Sequence, residues 1–269
     1  SGPTDVLARF EFERPEMGLP FRMVLYAPDA QAARLASEAA FARIEELNAS
    51  LSDYDERSEL SRLSTTAGSG RWVPLGPDLA RVLRAADAVS RASDGAFDVT
   101  VGPLVQLWKR ARRQRELPGE APLAAARAAT GWAHLCLRRV GDGWEARLER
   151  PGMRLDLGGI AKGYAVDRAV QVLGQFGATR GLVNAGGDLR VFGRDETRVP
   201  IAVRHPAQPT HTLTLGSPVA GTTGAGGNSF ILPYPLAAGQ YAFVVSGQAT
   251  GVPTGYRKLD DGSSLALSR

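Results

Sequence analysis

The stretch Leu155-Asp156-Leu157-Gly158-Gly159-Ile160-Ala161-Lys162-Gly163 constrains this chain more than any other, because an extended apolar run passes through two glycines straight into a helical pattern. Such a junction exposes unpaired backbone N–H groups at the positive end of a helix dipole, with no side chain to keep a phosphate away. Lys162, one turn into the helix, adds a point charge. The spacing matches neither a Walker loop nor a dinucleotide fingerprint. Tight strand-to-helix packing accounts for the same residues equally well.

The pattern on either side is that of an α+β protein. Phe10 and Phe12 share one face of a first strand, and Phe21 to Tyr26 read as a second after a Gly18-Leu19-Pro20 turn, giving a hairpin. From Asp29 a helix begins, with Leu35, Ala39, Phe41, Ile44 and Leu47 at helical spacing, and it gives way near Asn48 to the polar segment Ser52–Glu59. Pro77 and Asp78 open a second helix with Leu79, Val82, Leu83, Ala86 and Val89 on one face, and Gly95 closes it. Residues 109–130 read as a helical excursion over the surface. Trp144–Leu148 and Met153–Leu157 read as paired strands. A third helix carries Ala165, Ala169, Val172, Leu173 and Phe176 up to Gly177, and short apolar runs from Gly181 onward suggest an antiparallel meander. No clean linker and no repeat interrupts this order, so one interlocked unit is the simplest account.

Composition excludes several classes. With 43% hydrophobic and 22% charged residues the chain is neither disordered, collagenous nor a coiled coil, and no run reaches the roughly 18–20 apolar residues of a membrane helix, so a soluble chain is expected. Cys136 is the only cysteine; it forms no internal disulfide, and Leu135 and Leu137 on either side predict a buried thiol. Only Lys109, Lys162 and Lys258 among 32 basic residues are lysine, and the net charge is a mild +4. The one concentrated basic stretch, Lys109 to Arg115, reads as a solvated helix end rather than a nucleic-acid surface. The start at Ser1-Gly2-Pro3 points to a cloning remnant or to a removed targeting segment.

Other candidate positions are individually ambiguous. Asp98 follows a helix end and reads as a turn acid capping the next element. Tyr54 sits in a polar loop and could stack on a planar ligand, and Asn184–Asp188 reads as a tight turn. His134, His205 and His211 lack metal-ligand spacing.

Taken in order, Met17-Gly18, Ser52–Asp55 with Ser58–Leu63, Asp94–Val105 through Leu107-Trp108, Leu155–Asp167 and Val183–Asp188 resemble the ApbE-type FAD:protein FMN transferases over roughly residues 16–206. The resemblance implies a single flavin transferase-like α+β domain over residues 1–269, T-fold-like, with mixed and antiparallel sheets, packed helices and the FAD site between its sub-regions. It implies FAD and Mg2+ as cofactors and transfer of FMN to a threonine or serine of an acceptor protein, with release of AMP. It further implies a periplasmic or otherwise extracytoplasmic setting, membrane-associated partners and no nucleic acid. By the same resemblance Met17 and Tyr54 contact the flavin ring, Ala96, Phe97 and Asp98 line the FAD site, Asp156 and Lys162 add FAD contacts, and the Gly159 carbonyl helps to hold the metal.

Residues 220–269 diverge from that pattern. Where the family carries a histidine in a loop ending Asp-Pro-Arg-Thr-Gly, this chain has Tyr241–Pro253, which keeps only Thr250-Gly251 and Pro253, and no histidine follows His211. Asp261 is the one candidate for the family's C-terminal metal ligand, and a surface turn is its alternative reading. Without a catalytic histidine the alternative function is a degenerate flavin-binding relative that does not transfer, since loss of a general base costs on the order of 10²- to 10⁴-fold.

Overall fold

Alternation of Phe21, Met23 and Leu25, all fully buried, with the more accessible Arg22, Val24 and Tyr26 makes one strand the centre of a half-covered sheet. The computed structural model describes residues 7–193 in full and, past them, the backbone of six short strands between residues 201 and 268. In chain order the fully described elements are β1 (Ala8–Glu16), β2 (Leu19–Ala27), α1 (Ala30–Leu51), α2 (Glu59–Ser64), β3 (Val73–Leu75), α3 (Pro77–Ala92), α4 (Gly102–Gln114), α5 (Glu120–Ala128), β4 (Leu135–Val140), β5 (Gly143–Leu148), α6 (Ala161–Gln175), β6 (Gly181–Ala185) and β7 (Asp188–Phe192). They fall into two compact units, one of Ser1–Phe41 with Val166–Arg269 and one of Ala42–Ala165. No described helix is long and apolar enough to cross a membrane.

The first unit is built on an antiparallel sheet in the order β1-β2-β6-β7. Its hairpin turns at Met17 and Gly18, both with positive φ, whereas the sequence suggested Gly18 to Pro20; Leu19 and Pro20 are already strand. Such a two-residue turn matches the twist of the strands it joins. At the same end of the sheet the Asn184–Asp188 turn is closed by the Gly187 amide donating to Asn184 Oδ1 at 3.0 Å. The strands Ile201–Arg204 and Thr212–Leu215 pair with each other as a separate ribbon and do not extend the sheet as a continuous meander.

The second unit has a small sheet in the order β3-β5-β4, covered by α3. Its core is Leu60, Leu63, Leu79, Val82, Leu83, Ala146 and Leu148. Gly95, at φ 78°, ends α3 by donating to the Ser90 carbonyl at 2.8 Å. The excursion expected over residues 109–130 is two helices, α4 and α5, which pack together.

Several predicted core positions are exposed. Leu35, Val89 and Phe176 lie 52%, 40% and 52% open, because the buried faces of their helices are carried by Ala33, Ala36 and Ala40, by Leu83, Ala86 and Ser90, and by Ala165, Ala169 and Leu173. Each sits one position off a face that small residues define. Cys136 is half-buried on β4 rather than in the core, and burial pushes its thiol pKa up. Arginine is not merely surface dressing: Arg138 and Arg147 stack on Trp72 at 4.1 and 4.7 Å, Arg84 on Trp144 at 4.3 Å and Arg180 on Tyr26 at 3.8 Å. A planar guanidinium stacks on such rings in a way an ammonium does not.

Leu83→Ala should cost about 2–5 kcal/mol in a denaturant unfolding curve, and Leu35→Ala about 0.5 kcal/mol or less. Equal losses would contradict the burial pattern.

Candidate functional site

Residues 153–157 do not form the expected second strand of a β5 hairpin. They lie against residues 99–102 instead: the Asp156 amide donates to the Val99 carbonyl at 2.8 Å, and a single isolated bridge joins Val101 to Arg154. A Cβ on Gly102 would fall 2.5 Å from the Arg154 carbonyl oxygen, so only glycine allows this approach. The chain then turns, because Asp156 Oδ1 accepts from the Gly158 amide at 2.8 Å and the Ile160 and Ala161 amides both reach the Leu157 carbonyl. Helix α6 starts there. The Phe97 ring lies against Gly159, where a Cβ would be 3.2 Å from Cε2.

Ala96, Phe97, Asp98, Asp156, Gly159 and Lys162 are thus gathered on two adjoining segments of one unit. Lys162 is half-buried in the first turn of α6, with no ion-pair partner among the described residues. Asp98 is otherwise engaged: Oδ1 accepts from the Thr100 amide and hydroxyl, each at 2.7 Å, and Oδ2 from the Trp132 amide at 3.0 Å. Thr100 Oγ1 in turn accepts from the Gly131 amide at 2.8 Å. The carboxylate ties the loop before β4 to the site segment and does not cap the next helix as the sequence suggested: α4 follows Val101 with no side-chain cap.

Tyr54 stands on a loop whose shape is set by serines. Ser52 Oγ accepts from the Tyr54 and Asp55 amides, and Ser58 donates to the Ser52 carbonyl at 2.6 Å while capping α2 through the Ser61 amide. The ring is 78% exposed, yet Lys109 Nζ sits 4.2 Å from its centroid and 3.3 Å from Asp53 Oδ2. Burial alone lowers the Lys109 pKa, but Tyr54 and Asp53 outweigh it and hold the ammonium above the ordinary lysine value. Arg154 adds a bond from Nη2 to the Asp53 carbonyl at 3.4 Å. Tyr54 is therefore a presented, braced ring at the edge of a cleft of about 610 Å3. Neither Lys109 nor Arg154 is recognisable from sequence as its support, since nothing in the local spacing joins helix α4 to the 52–55 loop.

Met17 lies in the other compact unit, half-buried at the β1–β2 turn. Asp261, Thr250, Gly251, His205 and His211 lie outside the described residues. His134 pairs with Glu149 at 3.3 Å. Among the described residues no group of three or more His, Cys, Asp or Glu could hold a metal ion.

A family model described as the ApbE family matches residues 17–240, most of the chain. The chain belongs to the ApbE family. Among the curated proteins it resembles, the FAD:protein FMN transferase of Haemophilus influenzae is 32% identical over 167 residues, covering 61% of this chain and 48% of that protein. The protein of the same name from Escherichia coli is 28% identical over 207 residues, covering 76% and 58%. Among solved structures, the apo flavinyl transferase ApbE of Pseudomonas stutzeri superposes with a TM-score of 0.66 at 28% identity, covering 78% of this chain and 66% of that one. The mixture of helices and antiparallel sheets is therefore the ApbE fold. The chain spans about half the length of the curated ApbE relatives it matches.

Asp98→Asn replaces one of two acceptors with a donor facing the Trp132 amide. It should lower stability by about 1–3 kcal/mol in thermal melting. An unchanged Tm would show that the carboxylate is not the tie described.

Proposed function

We propose that this ApbE-family chain is an FAD-binding flavin transferase, a single domain over residues 1–269 that moves FMN from FAD to a threonine or serine of an acceptor protein and releases AMP. One observation carries the reading: Phe97 and the Asp156–Lys162 junction, two separate blocks of the sequence, meet at a glycine-opened helix start whose first-turn lysine has no ion-pair partner among the described residues. That arrangement suits a pyrophosphate, whose charge is met by the helix dipole and Lys162, while the Gly158, Ile160 and Ala161 amides are taken by Asp156 and Leu157 rather than left exposed as the sequence suggested. The names of the curated relatives support the same assignment.

In this proposal Tyr54 and Met17 contact the isoalloxazine ring, a role suited to a phenol and a thioether. Ala96, Phe97 and Asp98 line the FAD site, with Asp98 acting through the loop it holds. In the transfer, the acceptor hydroxyl oxygen forms a bond to the FMN phosphorus while the anhydride bond to the AMP phosphate breaks. AMP leaves with the bridging oxygen, and the hydroxyl proton passes to a base or to water. The described residues account for binding and orientation, which is most of what such a reaction asks of a protein.

Magnesium belongs to the proposal through the Gly159 carbonyl and Asp261. The described donors, one carbonyl and no trio of acids or histidines, do not make a metal site by themselves. An extracytoplasmic setting and membrane-associated acceptors rest on the family resemblance alone.

Equilibrium dialysis should show FAD retained, with Tyr54→Ala weakening it by about 1–3 kcal/mol, the usual worth of an aromatic stack. No retention, with or without magnesium, would refute the reading. Mass spectrometry of a threonine-bearing peptide incubated with FAD and magnesium then separates the two functions. Addition of one FMN mass establishes transfer, and binding without addition favours the degenerate relative suggested by the histidine-free loop.

A further inference from the structure

Helix α4 carries Lys109, Arg110, Arg112 and Arg113 and no acid, and Arg115 follows as its cap. Among the described residues Arg112, Arg113 and Arg115 have no carboxylate partner, and Arg110 gives its Nε only to Gln114 at 3.3 Å. The helix dipole accounts for cations in the last turn. It does not account for Arg154, which belongs to the segment lying against residues 99–102 and lines the same cleft as Arg110 and Arg113. Pro122 and Ala126 of α5 supply an apolar wall, and Tyr54 stands at the edge.

We propose that this cleft docks an acidic segment of the acceptor protein at the Tyr54 edge of the proposed flavin site. The identity of the partner rests on the flavin-transfer reading, and of the proposed flavin contacts only Tyr54 borders this surface. Three arguments select this occupant. Arg110 and Arg113 are exposed, and exposed cations gather several weak contacts along a chain better than they enclose one small anion, which needs buried donors. Lys109 is already neutralised by Asp53, so the free charge lies along the outer cleft rather than under the ring. The whole chain nearly balances 32 basic against 28 acidic residues, without the large basic excess expected of a nucleic-acid binder.

Fluorescence anisotropy with two labelled peptides tests the proposal, one carrying a threonine among aspartates and glutamates, the other the same threonine among serines and glycines. The acidic peptide should bind about tenfold tighter or more at low salt and lose most of that margin between about 50 and 200 mM. Arg110→Glu with Arg113→Glu should abolish the margin while leaving Tm and FAD retention unchanged, and the double lysine variant should keep most of it. Equal binding of both peptides, or indifference to charge reversal, overturns the proposal. Duplex DNA displacing the acidic peptide at lower concentration than unlabelled peptide overturns it in favour of nucleic acid. FAD retention by the unmodified chain reports separately on the flavin reading, so the two failures are distinct.

Discussion

The close approach of residues 99–102 to residues 153–157 fixes most of what surrounds the candidate site. It is held by the bond from the Asp156 amide to the Val99 carbonyl and allowed by the absence of a side chain at Gly102. From one side of this contact the chain leaves as α4, and from the other as α6. The start of each helix is therefore set by the same few atoms, and Phe97 is carried onto Gly159 as a result. Asp98 and Thr100 extend the constraint outward by pinning residues 131 and 132, so the approach to β4 is tied to the same contact.

Charge is distributed around this contact by function of position rather than by composition. Asp53 draws Lys109 and Arg154 towards the Tyr54 loop, one through its carboxylate and one through its carbonyl. The tryptophans of the small sheet are covered by arginines from α3, β4 and β5. Several arginines thus pack on aromatic rings, a role that a lysine ammonium fills less well.

Much of this was legible in the sequence, and the failures share physical causes. The hairpin, α3 with its glycine stop, and the glycine-to-helix junction were readable because turn and cap chemistry is local. Leu35, Val89 and Phe176 misled because large apolar residues were given more weight than the alanines and serine that mark the close-packed faces. Met153–Leu157 looked like a strand because it is extended and mostly buried, yet the segment it lies against is distant in sequence, and periodicity cannot name a partner. The site segments were recognisable as blocks, while the bracing of Tyr54 by Lys109 was not, since it depends on which way α4 runs.

That bracing has a stereochemical consequence. An aromatic ring in water offers two equivalent faces, and a cation at 4.2 Å from the centroid claims one of them. What remains is a one-sided surface, with room to stack on one planar group rather than on two.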